Sequence, residues 1–348
     1  MTTFFAIIIV FGVLIAIHEF GHFLVAKMAG VQVDEYAIGF GPALISFRYG
    51  ETRYSLRIFP LGGYCKMAGM VPDEKEQGKI TPAGRAFHEK PVLSRMAIIA
   101  AGPIMNFLLA FLFFAFTFSV LGLPSQPTLV VDKVEAGYPA DQAGIRTGDE
   151  IVAIDGEPVQ SWNDLVQKVR SRPGENLRFT IIRQGNSTEI SLAPREDANG
   201  NGVVGISPRM KFQRYGFVES LSEGALWTWN VVAGWFLAIG ELISGGGGQS
   251  ADVVGPVGIS AQIGQAAQMG LPYLLLLSAI LSANLGLVNL LPIPALDGSR
   301  LVFLLFEAIR GRPVAPEKEN FIHFVGFALL ILLSLVITYR DVLRLSLG

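Results

Sequence analysis

Five consecutive residues near the N-terminus, His18-Glu19-Phe20-Gly21-His22, carry the clearest chemistry in this 348-residue chain. On a helix the two histidines lie on one face, about one turn apart, which suits two ligands of a single Zn²⁺. The glutamate between them can act as general base on a water activated by that metal. The whole chain has only four histidines, so the motif is no by-product of composition. It also sits inside an apolar run, where an ionisable side chain is costly and marks a functional site by default.

Catalytic zinc usually takes three protein ligands and leaves a fourth position open. The remaining histidines, His88 and His323, lie in or beside polar loops and read as solvated. Cys65, the single cysteine, falls in a charged loop and reads as a bystander. Asp297 is the better third ligand. It ends an uncharged run that starts at Leu271, within Asn289-Leu290-Leu291-Pro292-Ile293-Pro294-Ala295-Leu296-Asp297-Gly298. Pro292 and Pro294 must break the helix there. Broken backbone at membrane depth is tolerated where it is buried in protein or lines a wet cavity, as an active site would be.

The elements that must position these residues follow from composition. The chain is 51% hydrophobic and 16% charged, with a mean hydropathy of +0.46, against about 25% charged residues in soluble domains. This excludes a disordered chain and argues against an ordinary soluble globule. A net charge of −2 gives no electrostatic case for nucleic acid, and one cysteine excludes a disulfide scaffold. The charges are also unevenly spread: 17 lie in residues 27–95 and 23 in residues 124–218, leaving 16 for the other 184 positions. The pattern is that of a membrane protein with two water-facing inserts.

Four stretches are apolar enough to cross a hydrocarbon core of about 30 Å: Phe4 to Ala26, Met96 to Leu123, Leu271 to Leu296, and Phe321 to Tyr339. A signal peptide fits the first poorly, because no basic segment precedes it and no small-residue cleavage site follows. A fifth stretch, Ala225 to Ile243, carries Trp227, Trp229, Trp235 and Glu241 and precedes four glycines at 245–248. By hydropathy it is evenly balanced between a spanning helix and one lying in the membrane interface.

The loop from Lys27 to Arg95 holds ten Lys and Arg, and the last loop adds Arg300, Arg310, Arg312 and Lys318. With four spans both loops fall on one side, which the positive-inside rule makes cytoplasmic. His18 lies roughly 21 Å into the first span, toward that end. Asp297 reaches the same end only if 225–243 does not cross, so this stretch is expected to be interfacial or partly embedded.

These motifs resemble the site-2 protease family of intramembrane zinc metalloproteases, and its bacterial RseP-like group in particular. The resemblance covers essentially the whole chain. It rests on HEFGH at 18–22, on Gly102-Pro103 with Asn106 in the second span, and on the Asn-x-x-Pro-x-Pro-x-Leu-Asp-Gly pattern at 289–298. It implies that His18, His22 and Asp297 bind zinc and that Glu19 is the catalytic base. Asn289, with Pro292 and Pro294 beside it, would contact substrate, Asn289 holding its backbone or polarising the scissile carbonyl.

Residues 43–66 alternate and turn like a hairpin about Gly50-Glu51, matching a β-loop that in RseP-like proteases dips into the membrane beside the catalytic helix. An exposed edge there, with Tyr54 and Leu56, could pair with an unwound substrate. A plain cytoplasmic hairpin is the simpler alternative. Residues 127–208 resemble a PDZ domain, with strands at 129–134, 177–183 and 188–192 and a helix capped by Ser161 that runs to Arg170. Such a domain either takes an extended peptide by strand addition or only blocks bulky substrates. Asp197-Ala198-Asn199-Gly200-Asn201-Gly202 opens like a calcium loop, but its twelfth position is Pro208 instead of a glutamate, so it reads as a turn.

The expected architecture is a polytopic α-helical membrane protein. Its four transmembrane helices carry a cytoplasmic-side β-hairpin loop and an inserted extracytoplasmic PDZ domain of α+β type. Its parts are 1–123 (spans one and two, with the β-loop), 127–208 (PDZ), 216–250 (interfacial helical region) and 270–348 (spans three and four). The expected function is Zn²⁺-dependent hydrolysis of peptide bonds within single-span membrane proteins such as anti-sigma factors or remnant signal peptides, in a bacterial inner membrane. PDZ ligands would be peptides or proteins. The rival is a non-proteolytic zinc-binding transporter or scaffold with a PDZ receptor domain, which leaves Glu19 without a role.

Overall fold

The computed structural model describes residues 2–70, 82–197, 200–243 and 254–347. The glycine run at 245–248 and Ala198-Asn199 of the calcium-like turn lie outside them. The chain divides into two compact units, residues 1–120 with 216–348, and residues 121–215.

The first unit is built on helices. Among the described residues, four are long and apolar enough to cross a membrane, at Thr3–Met28, Val92–Leu121, Leu271–Leu290 and Glu317–Leu343. Helices suit these stretches because in lipid every backbone N–H and C=O must be satisfied internally. They belong to α1 (Thr2–Met28), α2 (Val92–Phe116, ending in a wider turn over Thr117–Leu121), α7 (Leu271–Leu290) and α9 (Pro316–Leu347). Small residues set the packing. A Cβ on Gly21 of α1 would lie 2.3 Å from Ala101 O of α2, and one on Gly286 of α7 would lie 2.9 Å from Pro103 O. Backbones thus approach closely where apolar side chains gain nothing by avoiding lipid. Ala6, Val10 and Leu14 of α1, Leu109 of α2 and Ile263 of α6 (Pro256–Met269) form the buried centre between these helices.

Residues Phe217–Ile243 form a single helix, α5. Gly224 meets Phe111 O and Ala115 N of α2, each 3.1 Å from where its Cβ would be. Further along, Trp235 Nε1 donates to Asn284 Oδ1 of α7 at 3.0 Å. The helix therefore runs alongside the spanning helices, not flat across their ends. The reason is local: Gly224 and Trp235 give α5 a small face and a polar tie toward α2 and α7.

After α1 the chain forms β1 (Val33–Tyr49) and β2 (Thr52–Met67), turning at Gly50 with φ +60. This is more than the hairpin expected over 43–66. Val33–Ile38 has two partners, Met67 to Gly63 on one side and Arg53–Leu56 on the other, while 43–49 pairs with 52–57. The base of the sheet packs on α1: Tyr36 Oη donates to Ala16 O at 2.7 Å, and Phe23 contacts both Tyr36 and Tyr54. Beyond α7, residues 291–296 are non-helical and α8 (Asp297–Arg310) begins at the aspartate itself.

The second unit carries β3 (Leu123–Val134), α3 (Pro139–Gln142), β4 (Glu150–Ile154), β5 (Glu157–Pro158), α4 (Trp162–Arg170), β6 (Leu177–Arg183), β7 (Asn186–Leu192), β8 (Arg195–Glu196), β9 (Gly202–Val203) and β10 (Ile206–Gln213). Its main sheet runs β10-β3-β4-β6-β7, over a core that includes Val131, Ile151, Leu165, Phe179 and Ile181. Ser161 caps α4, accepting from Asp164 N at 3.2 Å. The unit extends past the expected 127–208 because β10 pairs with β3 from Ile206–Val134 out to Gln213–Leu123.

Candidate active site

His18 and His22 occupy successive turns of α1, and α8 brings Asp297 to them. His18 Nε2 lies 3.1 Å and His22 Nε2 3.3 Å from Asp297 Oδ2, and the two nitrogens are 3.2 Å apart. One face of a tetrahedron with zinc–ligand bonds of about 2.0–2.1 Å has edges of roughly 3.3 Å, so the three donors match it. Asp297 Oδ2 is buried with no hydrogen-bond donor of its own, a position that a cation would satisfy. The residues present therefore fit a zinc ion.

The outer nitrogens of both imidazoles are also engaged. His22 Nδ1 donates to Ile98 O at 2.9 Å, and the Asn106 carboxamide lies 3.1 Å from His18 Nδ1. With Nε2 turned to a metal, Nδ1 of His18 bears the proton, so the amide oxygen of Asn106 is the atom that accepts it. That gives Oδ1 of Asn106, otherwise buried without a partner, its hydrogen bond. Both contacts come from α2, which approaches because Gly102 has no side chain: a Cβ there would lie 2.3 Å from His22 Nε2 and 2.9 Å from His18 Cε1.

Glu19 lies beside the sheet. A Cβ on Gly63 would come within 3.1 Å of Glu19 Cγ, and the Cys65 N–H faces the Glu19 carboxylate. Cys65 itself is buried and free, and burial pushes its thiol well above the ordinary range, so it stays inert.

The other expected site residues are less concentrated. Asn289 sits in the last turn of α7. Pro292 is exposed. Pro294 is turned to α9, where it occupies the space a Gly326 side chain would fill. Tyr54 stacks on Phe47 at 5.3 Å. Tyr54 and Leu56 have strand partners on both sides, so they are not the free edge expected of them. Among the described residues two stretches have a partner on one side only: Gly63–Met67, next to Glu19, and 43–49, where Leu44, Ile45, Phe47 and Tyr49 are all more than 60% exposed. The sequence reading placed 43–49 and 53–59 in a two-stranded hairpin and missed Val33–Ile38, whose Val-Asp-Glu-Tyr-Ala-Ile pattern alternates weakly.

The remaining histidines are not simply solvated. His88 Nδ1 donates to Gly69 O at 2.9 Å. His323 accepts from Ala295 N–H at 2.9 Å. Loop backbone that cannot bond to itself recruits them. Asn106 and Ile98 were not assigned roles from sequence, since nothing in their spacing shows which ring nitrogen they face.

Residues 6–333 match the family model described as Peptidase family M50. Over 96% of both chains, this protein is 34% identical to the zinc metalloprotease RasP of Geobacillus kaustophilus. It is 34% identical over the full length of both chains to a Bacillus subtilis protein named regulator of sigma-W protease RasP. A putative zinc metalloprotease of Clostridium acetobutylicum is 38% identical over 96% of both chains. Among solved structures, the PDZ domain of an SdrC-like protein from Listeria monocytogenes aligns with 24% of this chain and 90% of its own, at 20% identity and a TM-score of 0.22. The chain belongs to peptidase family M50 and is a membrane zinc metalloprotease of the site-2 type.

Proposed function

We propose that His18, His22 and Asp297 hold the zinc and that Glu19 is the general base for peptide-bond hydrolysis at membrane depth. The observation that carries this is the triangle of donor atoms at 3.1–3.3 Å, with Glu19 next in sequence to one ligand. Zinc, when bound, supplies Lewis acidity that makes water nucleophilic near neutral pH and polarises a carbonyl. Glu19 takes the proton from the attacking water and returns it to the departing amine. Asn289, in the last turn of α7, holds substrate backbone.

A helical substrate must unwind before its carbonyl can be attacked, and it then needs new partners for its backbone. The free edge at 43–49 supplies them by strand addition. Substrates are single-span membrane proteins, with anti-sigma factors or remnant signal peptides as examples. The B. subtilis relative's name as a regulator of sigma-W agrees with the first class. The basic loops put the site toward the cytoplasmic side of a bacterial inner membrane, with residues 121–215 outside as a PDZ-type domain. In that domain β10 pairs only with β3, so its other edge is open to a peptide.

Cleavage of a model single-span substrate by Glu19→Gln protein tests this reading. The variant is expected to keep stoichiometric zinc and lose cleavage by about 10²–10⁴-fold. Full activity in that variant would overturn the mechanism.

A further inference from the structure

The backbone hydrogen bonds of the segment between α7 and α8 can be accounted for one by one. Pro292 and Pro294 have no N–H. Ile293 N–H donates to Leu291 O at 2.7 Å, and Leu296 N–H to Ile293 O at 3.1 Å. Ala295 is held at φ +77, in the left-handed region that non-glycine residues rarely occupy. Its N–H is directed out of the segment to Nδ1 of His323 on α9, at 2.9 Å.

His323 Nδ1 accepts only when the ring proton is on Nε2; Nε2 is buried without a hydrogen bond, with the Glu319 carboxylate 3.7 Å away as its nearest charge partner. The ring sits edge-on to Phe303 of α8, with centroids 5.8 Å apart. On the same stretch of α9, Gly326 admits Pro294, since a Cβ there would lie 2.1 Å from Pro294 Cβ. Elsewhere α9 is sparsely packed: only 6% of its apolar window is buried. The helix has polar ties to other segments at His323, which accepts from Ala295 N–H, and at Asp341, which accepts from Gly255 N–H at 3.1 Å and Gly258 N–H at 2.8 Å.

We propose that His323 is a positioning residue for the metal centre. By accepting the Ala295 N–H it stabilises the left-handed Ala295, and this sets the direction in which Asp297, two residues on, presents Oδ2 to His18 and His22. Without that acceptor the donor is stranded at membrane depth, and Ala295 relaxes toward an ordinary conformation. The Asp297 carboxylate then moves off the triangle. This inference rests on the proposal that Asp297 is a zinc ligand.

Three variants of the full chain test it, each reconstituted with Co²⁺ for spectroscopy and with Zn²⁺ for cleavage. His323→Asn places an amide oxygen where Nδ1 stood, His323→Gln places its polar atoms near Nε2, and His323→Leu has none. The Asn variant is expected to stay within about threefold of wild-type kcat. The Gln and Leu variants should lose about tenfold or more in kcat at little-changed KM, with shifted cobalt d–d bands and roughly tenfold weaker metal retention against a chelator. Equal behaviour of Asn and Gln, or native cobalt spectra in both Gln and Leu, overturns the proposal. If the Leu variant does not accumulate, the Asn–Gln comparison decides alone. Asp297→Ala run in parallel separates the two claims. A native cobalt spectrum there refutes the ligand assignment, whereas its loss beside native spectra at position 323 refutes only the role of His323.

Discussion

Arg95 of α2 and Glu307 of α8 form a two-point ion pair, Nη1 to Oε2 at 3.0 Å and Nη2 to Oε1 at 2.6 Å. Arg95 Nε also donates to Lys90 O at 3.0 Å. The side chains are 11% and 15% exposed. The pair joins the helix that begins at Asp297 to the helix that supports both imidazoles, so it fixes the far end of α8 while the 291–296 segment fixes the near end.

Breaking a buried pair from one side leaves an uncompensated charge, at a cost of about 3–5 kcal/mol. Glu307→Ala is therefore expected to lower the thermal inactivation midpoint in detergent markedly. The Arg95→Met, Glu307→Leu double variant should recover most of it, because both charges are then gone. A double variant no better than Glu307→Ala would show that the pair does more than hold the helices together.

Asn106→Ala removes the amide oxygen that accepts from His18 Nδ1. Loss of such an outer partner costs about 10–100-fold in metal affinity or activity. Competition of the variant against a zinc chelator measures the first, and cleavage at saturating zinc the second.

Gly102→Ala drives a methyl group into His22 Nε2, the atom that points at Asp297. Both imidazoles must then shift, so zinc binding and cleavage should both fall by on the order of 100-fold. Gly12→Ala, also on a spanning helix but with nothing within 4 Å of the added carbon, should leave both unchanged. Zinc content of the purified proteins distinguishes the two.

In the 121–215 unit, Asp149 accepts from Arg183 Nε at 2.8 Å, Arg183 Nη2 at 2.7 Å and Arg146 N at 2.7 Å. Burial alone would raise its carboxyl, but the Arg183 guanidinium and the Arg146 N–H outweigh it and hold the group below the ordinary carboxylate range. A depressed folded value adds stability above the unfolded value of about 3.9, which is lost as pH falls through the folded one. Amide exchange over 121–215 in the full chain should therefore show protection that is flat near neutral pH and falls below about pH 4. Asp149→Asn should lower protection at neutral pH and flatten the acid dependence.

Much of the site was legible in the residues alone. The spacing of His18, Glu19 and His22 fixes their relation through helix geometry, and an aspartate directly after a proline-broken apolar run stands out. His323 shows the limit. Its place beside polar residues suggested solvation, yet it answers an N–H that exists only because Pro292, Pro294 and the left-handed Ala295 leave it outward. Tyr54 and Leu56 failed as edge residues for a similar reason. Alternation identifies a strand, but only the non-local partner Val33–Ile38 determines which strand stays open.

By itself the sequence determined which segments are long and apolar enough to cross a membrane, that a zinc-ligand motif lies on α1, and which acid is the candidate to join it. These depend on local pattern: hydropathy over a helix length, a four-residue period, and prolines that end a helix. Only the tertiary structure decided that α5 packs along α2 and α7, that Gly102 leaves room for the imidazoles, and that His323 meets the Ala295 N–H while Asn106 meets His18. Each of those depends on which surfaces approach within a few ångströms, a property of three-dimensional packing that no spacing along the chain encodes.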